Sequence, residues 1–176
     1  MDEPRARGVS LWLMPEGEAR ARLSALVAGL AERLGTTPFP PHVTLLPGID
    51  APSDGEVLAA SRTLAGRLSR LAVRLVGIEG RDEHFRCLFA RAAADPRLVS
   101  AHTAAARAFG RPPDPAFLPH LSLVYGVLGS DVKVRLAAPL RGAVELAFEA
   151  RRLHVWRTEG PPGDWRELGS FGLPSG

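Results

Sequence analysis

"PHVTLLPG" occupies residues 41–48 and "PHLSLVYG" occupies residues 119–126. Seventy-eight positions apart, the two octapeptides match at Pro41/Pro119, His42/His120, Leu45/Leu123 and Gly48/Gly126, and keep a hydroxyl at Thr44/Ser122. Val43/Leu121 and Leu46/Val124 exchange one aliphatic for another, and only Pro47/Tyr125 differs in kind. In a strand, successive side chains point to opposite faces. His42 and Thr44 therefore share one face while Val43 and Leu45 share the other, and His120 and Ser122 are set apart from Leu121 and Leu123 in the same way. The aliphatic faces suit burial under helices. The imidazole and hydroxyl faces call for a polar cleft.

The two copies sit in comparable settings. Residues 9–14 ("VSLWLM") read as a strand ended by Pro15, and Leu23, Leu26, Val27, Leu30 and Leu34 fall at helical spacing across 16–34. Glu16 and Glu18 suit the start of that helix and Gly35 its exit. The Pro-rich "TTPFPP" then leads into a strand over 42–46, closed by Pro47-Gly48. A second helix is predicted over 54–68, with strands over 72–78 and 85–92. Asp95-Pro96 is expected to open a third helix running to about residue 109, a cap residue followed by proline at the first helical position. A second Pro-rich loop, "GRPPDPAF", precedes a strand over 118–125. A short helix over 131–138 and strands over 144–148, 153–156 and 165–171 complete the chain, the last two strands joined through "EGPPGD". The pattern predicts an α+β protein with a weak internal duplication: residues 1–176 as a single domain of two similar lobes.

The 176 residues are 45% hydrophobic, enough for one compact core. No apolar run approaches the roughly 18 residues of a membrane span, and the polar opening "MDEPRARGVS" lacks the pattern of a secretory leader. A cytoplasmic monomer without membrane attachment is the expectation. The one cysteine, Cys87, excludes an internal disulfide and a cysteine-rich zinc site; it is read as an inert thiol on an apolar strand. Net charge is +3, and Lys133 is the only lysine. The arginine bias accompanies abundant Ala, Gly and Pro, as a coding sequence rich in G and C would give. The arginines are dispersed among acids, so no basic tract marks a nucleic-acid binder.

If the two lobes are related by a pseudo-two-fold, both polar strand faces line one cleft. Two imidazoles and two hydroxyls around a point suit a tetrahedral phosphate. One histidine takes a proton from the attacking oxygen and the other protonates the leaving oxygen. Thr44 and Ser122 hold non-bridging oxygens as charge builds up. No cofactor and no metal enters this scheme, and His84, His102 and His154 lack metal-ligand spacing.

The paired motif resembles the two-histidine phosphoesterase superfamily. With "SLWLMP", "HFRCLFA" and "LHVWRTEGPPGDWREL", the layout resembles the cyclic phosphodiesterase family over nearly the whole chain. That resemblance implies a bilobal fold whose antiparallel sheets line a central cleft with helices outside. It also implies a small-molecule substrate: hydrolysis of ADP-ribose 1'',2''-cyclic phosphate and nucleoside 2',3'-cyclic phosphates, giving 2'-phosphates from the latter. It makes His42 and His120 the catalytic pair, Thr44 and Ser122 the phosphate ligands, and Trp12, Phe85 and Tyr125 substrate-binding residues. Asp50, in the loop after the first motif, is expected to point away and cap the next helix. The alternatives are an RNA 2',3'-cyclic phosphodiesterase acting on RNA ends, and a non-catalytic phosphonucleotide-binding module. A matched acid and base argues against the second, and the modest net charge against the first.

Overall fold

The computed structural model describes residues 6–51 and 53–176. The first five residues of the polar opening segment, and Pro52, lie outside the described residues. Strand β1 (Val9–Leu13) is buried throughout because both its faces are covered. Val9, Leu11 and Leu13 join the apolar core, while Ser10 and Trp12 face a cleft. Helix α1 (Gly17–Leu34) buries Leu23, Val27 and Leu30 on one stripe. It ends at Gly35, whose φ of 64° lets the Thr36 N–H reach back to Ala31 O at 2.9 Å.

Strand β2 (Val43–Ile49) runs past Pro47-Gly48, where the sequence predicts a stop. Val9 pairs with Ile49 and Leu11 with Leu46, so β2 carries an extra residue there. Gly48, at φ 62°, absorbs this bulge. Helix α2 (Asp54–Ala65) is capped by Ser53, whose hydroxyl accepts from the Glu56 N–H at 3.3 Å. Asp50 is exposed and does not fill that role.

Strand β3 (Leu71–Glu79) leads to a 3-10 turn at His84–Arg86 and then to β4 (Leu88–Ala92). The predicted strand over 85–92 thus begins later: Phe85 is in the turn, and Cys87, buried, closes it. The polar run 80–84 has no apolar alternation to extend the strand backwards. Asp95-Pro96 opens α3 (Pro96–Ala108) as expected, the Asp95 carboxylate accepting from the Arg97 N–H at 2.8 Å. Strand β5 (His120–Val124) follows.

Helix α4 (Ser130–Val144) is about twice the length expected, because it continues through Pro139. Proline there forfeits one backbone bond and crowds the preceding turn. The stripe Val132, Leu136, Leu140 and Val144 nevertheless continues at four-residue spacing into the core, and packing outweighs the propensity cost. Val144 therefore ends a helix instead of starting a strand, and β6 spans Ala147–Ala150. Strands β7 (Arg152–Arg157) and β8 (Arg166–Gly172) form the last hairpin, with a 3-10 turn at Pro162–Asp164 between them.

The strands form one curled antiparallel sheet in the order β6-β3-β4-β5-β2-β1-β7-β8. Each half places at the centre the strand at whose head its histidine stands, His42 just before β2 and His120 first in β5; the two strands meet through one bridge, Val43 opposite Leu121. Helix α1 precedes β2 in sequence but packs on β5, and α3 precedes β5 but packs on β2. The helices thus cross the seam reciprocally, as a pseudo-two-fold requires.

The start of β1 is held tightly against the end of β2. Gly8 has φ 69°, and a Cβ there would lie 2.4 Å from the Ile49 carbonyl oxygen. Gly8→Ala is expected to lower stability by about 1–3 kcal/mol, read as a reduced urea midpoint at unchanged slope. An unchanged midpoint would contradict that close approach.

Candidate active site

Carrying the Val43/Leu121 register one residue each way sets His42 across from Ser122 and Thr44 across from His120. On the concave face the imidazoles form one diagonal and the hydroxyls the other. All four line one cavity of about 460 Å³, which Trp12, Phe85 and Tyr125 also line. The structure therefore brings together every site residue that the sequence singles out.

The repeated proline has a local role. Pro41 and Pro119 restrict the residues before them, Pro40 and Leu118, to extended backbone. Their carbonyls then reach the next ring but one: His42 Nδ1–H donates to Pro40 O at 2.6 Å, and His120 Nδ1–H donates to Leu118 O at 2.8 Å. A carbonyl can only accept, so both Nδ1 atoms carry hydrogen and both Nε2 atoms are left to exchange protons. Each ring is also held by an aromatic group. Trp12 stacks on His42, with centroids 3.5 Å apart and planes within 8°. Phe89 meets His120 edge to face at 4.9 Å. Trp12 pairs with Thr44 and Phe89 with Ser122, so the two aromatics occupy equivalent places in the two halves. Such pairs contribute about 0.5–1.5 kcal/mol each and restrict ring rotation. Phe89 carries no signal of its own in the sequence, because it sits in an unbroken apolar run.

Burial decides the electrostatics. His42 is 4% exposed. Desolvation pushes its pKa down to about 3, the Pro40 hydrogen bond opposes this, and the nearby His120 adds to it. His120 is half-buried and is also lowered, first by desolvation and then by the Arg86 and Arg81 guanidiniums; the Leu118 carbonyl and Glu83 act the other way. Tyr125, which faces Ser122, has its phenol pushed up by burial. Burial likewise raises the Cys87 thiol, consistent with an unreactive side chain.

The two ends of the cleft differ. Where β5 leaves the seam, Tyr125 stacks on Phe39 at 3.9 Å and meets Phe85 and Trp165 at 5.2 and 5.8 Å. The Phe85 carbonyl there accepts from the Ser122 hydroxyl at 3.0 Å. Trp165, the first residue of a strand by its sequence, instead follows the 3-10 turn, its indole N–H donating to Gly160 O at 3.1 Å. At the other end lie Arg7, Ser10, Arg111, Asp114 and Thr158. His102, which the sequence marks only as a helix residue, joins the halves there. Its Nδ1–H donates to Leu45 O at 2.8 Å, its Nε2 accepts from the Asp114 N–H at 2.9 Å, and its ring stacks on Phe117 at 4.1 Å. No local pattern reveals these residues, because their proximity is created by loops that the fold brings together.

Among the described residues no three His, Cys, Asp or Glu side chains converge, and no helix is long and apolar enough to cross a membrane. The chain is 23% identical over 163 residues to a cyclic phosphodiesterase of Arabidopsis thaliana, covering 90% of each sequence. Its fold resembles that of TT0787 from Thermus thermophilus, with a TM-score of 0.64 at 21% identity, over 95% of this chain and 98% of that one. It also resembles E. coli LigT in its apo form, with a TM-score of 0.64 at 16% identity, over 98% and 100%. The family model of the 2'-5' RNA ligase superfamily matches residues 15–162. With both histidine motifs facing one cleft, this chain belongs to that superfamily, the two-histidine phosphoesterases, and is an enzyme.

Proposed function

We propose that the protein hydrolyses cyclic phosphates of nucleotides, ADP-ribose 1'',2''-cyclic phosphate and nucleoside 2',3'-cyclic phosphates, by acid–base catalysis between His42 and His120. The observation that carries this reading is the pair of Nε2 atoms left open on adjacent strands, each ring held through Nδ1 by a carbonyl two residues earlier. A cyclic phosphate lying over the Val43/Leu121 bridge meets one imidazole on each side. His42, the more enclosed ring, stays neutral further into acid and takes the proton of the attacking water. His120, more open to the cavity, carries the proton that the leaving ribose oxygen receives. One P–O bond forms to water and one to the ribose breaks; loss of the 3'-oxygen leaves a 2'-phosphate.

Thr44 and Ser122, on the other diagonal, donate to the non-bridging oxygens. Ser122 exchanges its bond to the Phe85 carbonyl for one to phosphate. Tyr125, Phe85 and Trp12 form the aromatic wall beside the nucleoside. The 23%-identical relative named a cyclic phosphodiesterase supports this substrate class. So does E. coli LigT, similar in fold and known in complex with 3'-AMP.

His42→Ala and His120→Ala are each expected to abolish turnover of adenosine 2',3'-cyclic phosphate while leaving a folded protein by circular dichroism. Thr44→Ala and Ser122→Ala are expected to lower kcat by roughly 10–1000-fold. Full activity in either histidine variant would exclude the mechanism.

The pH dependence follows from burial. In the free protein both imidazoles resist protonation below the ordinary histidine value, His42 down to about 3. The productive state has one proton on the pair, and kcat/KM reports the free enzyme. Its profile should be a bell whose optimum lies on the acid side of about 6.5. Bound phosphate, an anion, favours the protonated rings, so the kcat profile should lie at higher pH. A kcat/KM flat between about pH 4 and 8, by initial rates, would contradict this.

A further inference from the structure

The repeated octapeptide is least alike at Pro47/Tyr125, and the structure gives that difference a consequence. Strands β2 and β5 are antiparallel, so the two positions lie at opposite ends of the cleft. The Tyr125 end is closed by stacked aromatic rings. At the Pro47 end the rings are His102 and Phe117, stacked on each other at 4.1 Å, and the cavity lining there also carries two arginines, Arg7 and Arg111. There the bulge in β2 turns two carbonyls toward Arg111, whose Nη1 donates to Pro47 O at 2.5 Å and Gly48 O at 3.4 Å. This anchors one edge of the guanidinium and leaves its other donors available. Arg7 approaches the same glycine from β1's side: its carbonyl lies 4.0 Å from where a Cβ of Gly48 would stand. Among the described residues neither guanidinium is paired with a carboxylate.

The floor between them is polar. Ser10 and Thr158, 5% and 2% exposed, line the cavity and hydrogen-bond to each other at 3.0 Å. Among the described residues Asp114 is the one acid lining the cavity, and its Oδ1 is engaged by the Ala116 N–H at 2.8 Å. Strand rise is about 3.3 Å per residue, so Gly48 is roughly 13 Å from Thr44. An arginine side chain reaching back from there spans a good part of that distance. In a nucleoside 2',3'-cyclic phosphate the base and the 5'-oxygen leave the ribose in different directions. With the base toward Tyr125, the 5'-oxygen heads for the arginines.

We infer that the Arg7/Arg111 end of the cleft is a binding subsite for a second phosphate, carried on the 5' side of the same nucleotide. The inference rests on the phosphoesterase reading above and names its substrate more narrowly. The test compares kcat/KM for adenosine 2',3'-cyclic phosphate with and without a 5'-phosphate, in the unaltered protein and in Arg7→Gln and Arg111→Gln. The 5'-phosphate is expected to raise kcat/KM by about 10–100-fold, mainly through KM, as charge-assisted arginine–phosphate bonds do. Each variant should bring that ratio toward one, and added salt should do the same. The ratio is taken within each variant, so a general loss of stability does not imitate the result. Robust hydrolysis with a ratio near one in the unaltered protein would overturn the subsite and leave the phosphoesterase reading standing. No hydrolysis of either compound would instead sink that reading. A short RNA with a cyclic end, turned over faster than the 5'-phosphorylated mononucleotide, would overturn the assignment to a terminal phosphate.

Discussion

Strands β2 and β5 meet through one backbone bridge, Val43 opposite Leu121, and the cleft follows from that juxtaposition. Because side chains alternate along a strand, the residues flanking the bridge must face the other way. They are His42, Thr44, His120 and Ser122. The seam is short, so the two halves of the sheet splay and leave room between them. It is not left to one bridge energetically: α1 lies on β5 and α3 on β2, and His102 donates across to the Leu45 carbonyl. The apolar side of each His strand is thus covered by the other half's helix. The same packing that closes the core fixes the spacing of the imidazole and hydroxyl diagonals.

The repeated proline illustrates how sequence becomes chemistry. It sets the backbone of the residue before it, that backbone aims a carbonyl, and the carbonyl fixes a tautomer. Both rings then present Nε2 to the same space. Burial of His42 beneath Trp12 lowers its affinity for a proton. Linkage makes this a stability statement as well. Between pH about 3 and the ordinary histidine value the unfolded chain binds a proton there and the native chain does not. The contribution of these groups to stability therefore declines as pH falls through that range.

Much of the fold is legible in the sequence because local signals agree. The stripe of α1 ends in a glycine, and Asp95-Pro96 announces α3. Legibility fails where tertiary packing overrides a local rule. Pro139 should stop α4, but the apolar stripe through Leu140 to Val144 carries the helix on. Pro47-Gly48 should end β2, but a bulge lets the strand continue. Asp50 has the chemistry of a helix cap, and Ser53, nearer the helix, takes the position. At the site, the seven residues read from motif and resemblance all reach one cavity. Phe89, Trp165, His102 and Arg111 have no such signature, because they lie beside the histidines only after the strands and loops assemble. The repeated octapeptide is plain in sequence; the difference between the two ends of the cleft, closed by stacked rings at Tyr125 and lined by Arg7 and Arg111 at Pro47, emerges only in three dimensions.

The central claim is that two imidazoles from separate halves act on one phosphorus atom. Its most direct test is a crystal structure with a nucleoside vanadate, which mimics the five-coordinate transition state. The account predicts the vanadium over the Val43/Leu121 bridge, with His42 Nε2 and His120 Nε2 each about 2.6–3.2 Å from opposite apical oxygens. Vanadate held by one imidazole alone, with the other ring directed elsewhere, would contradict it.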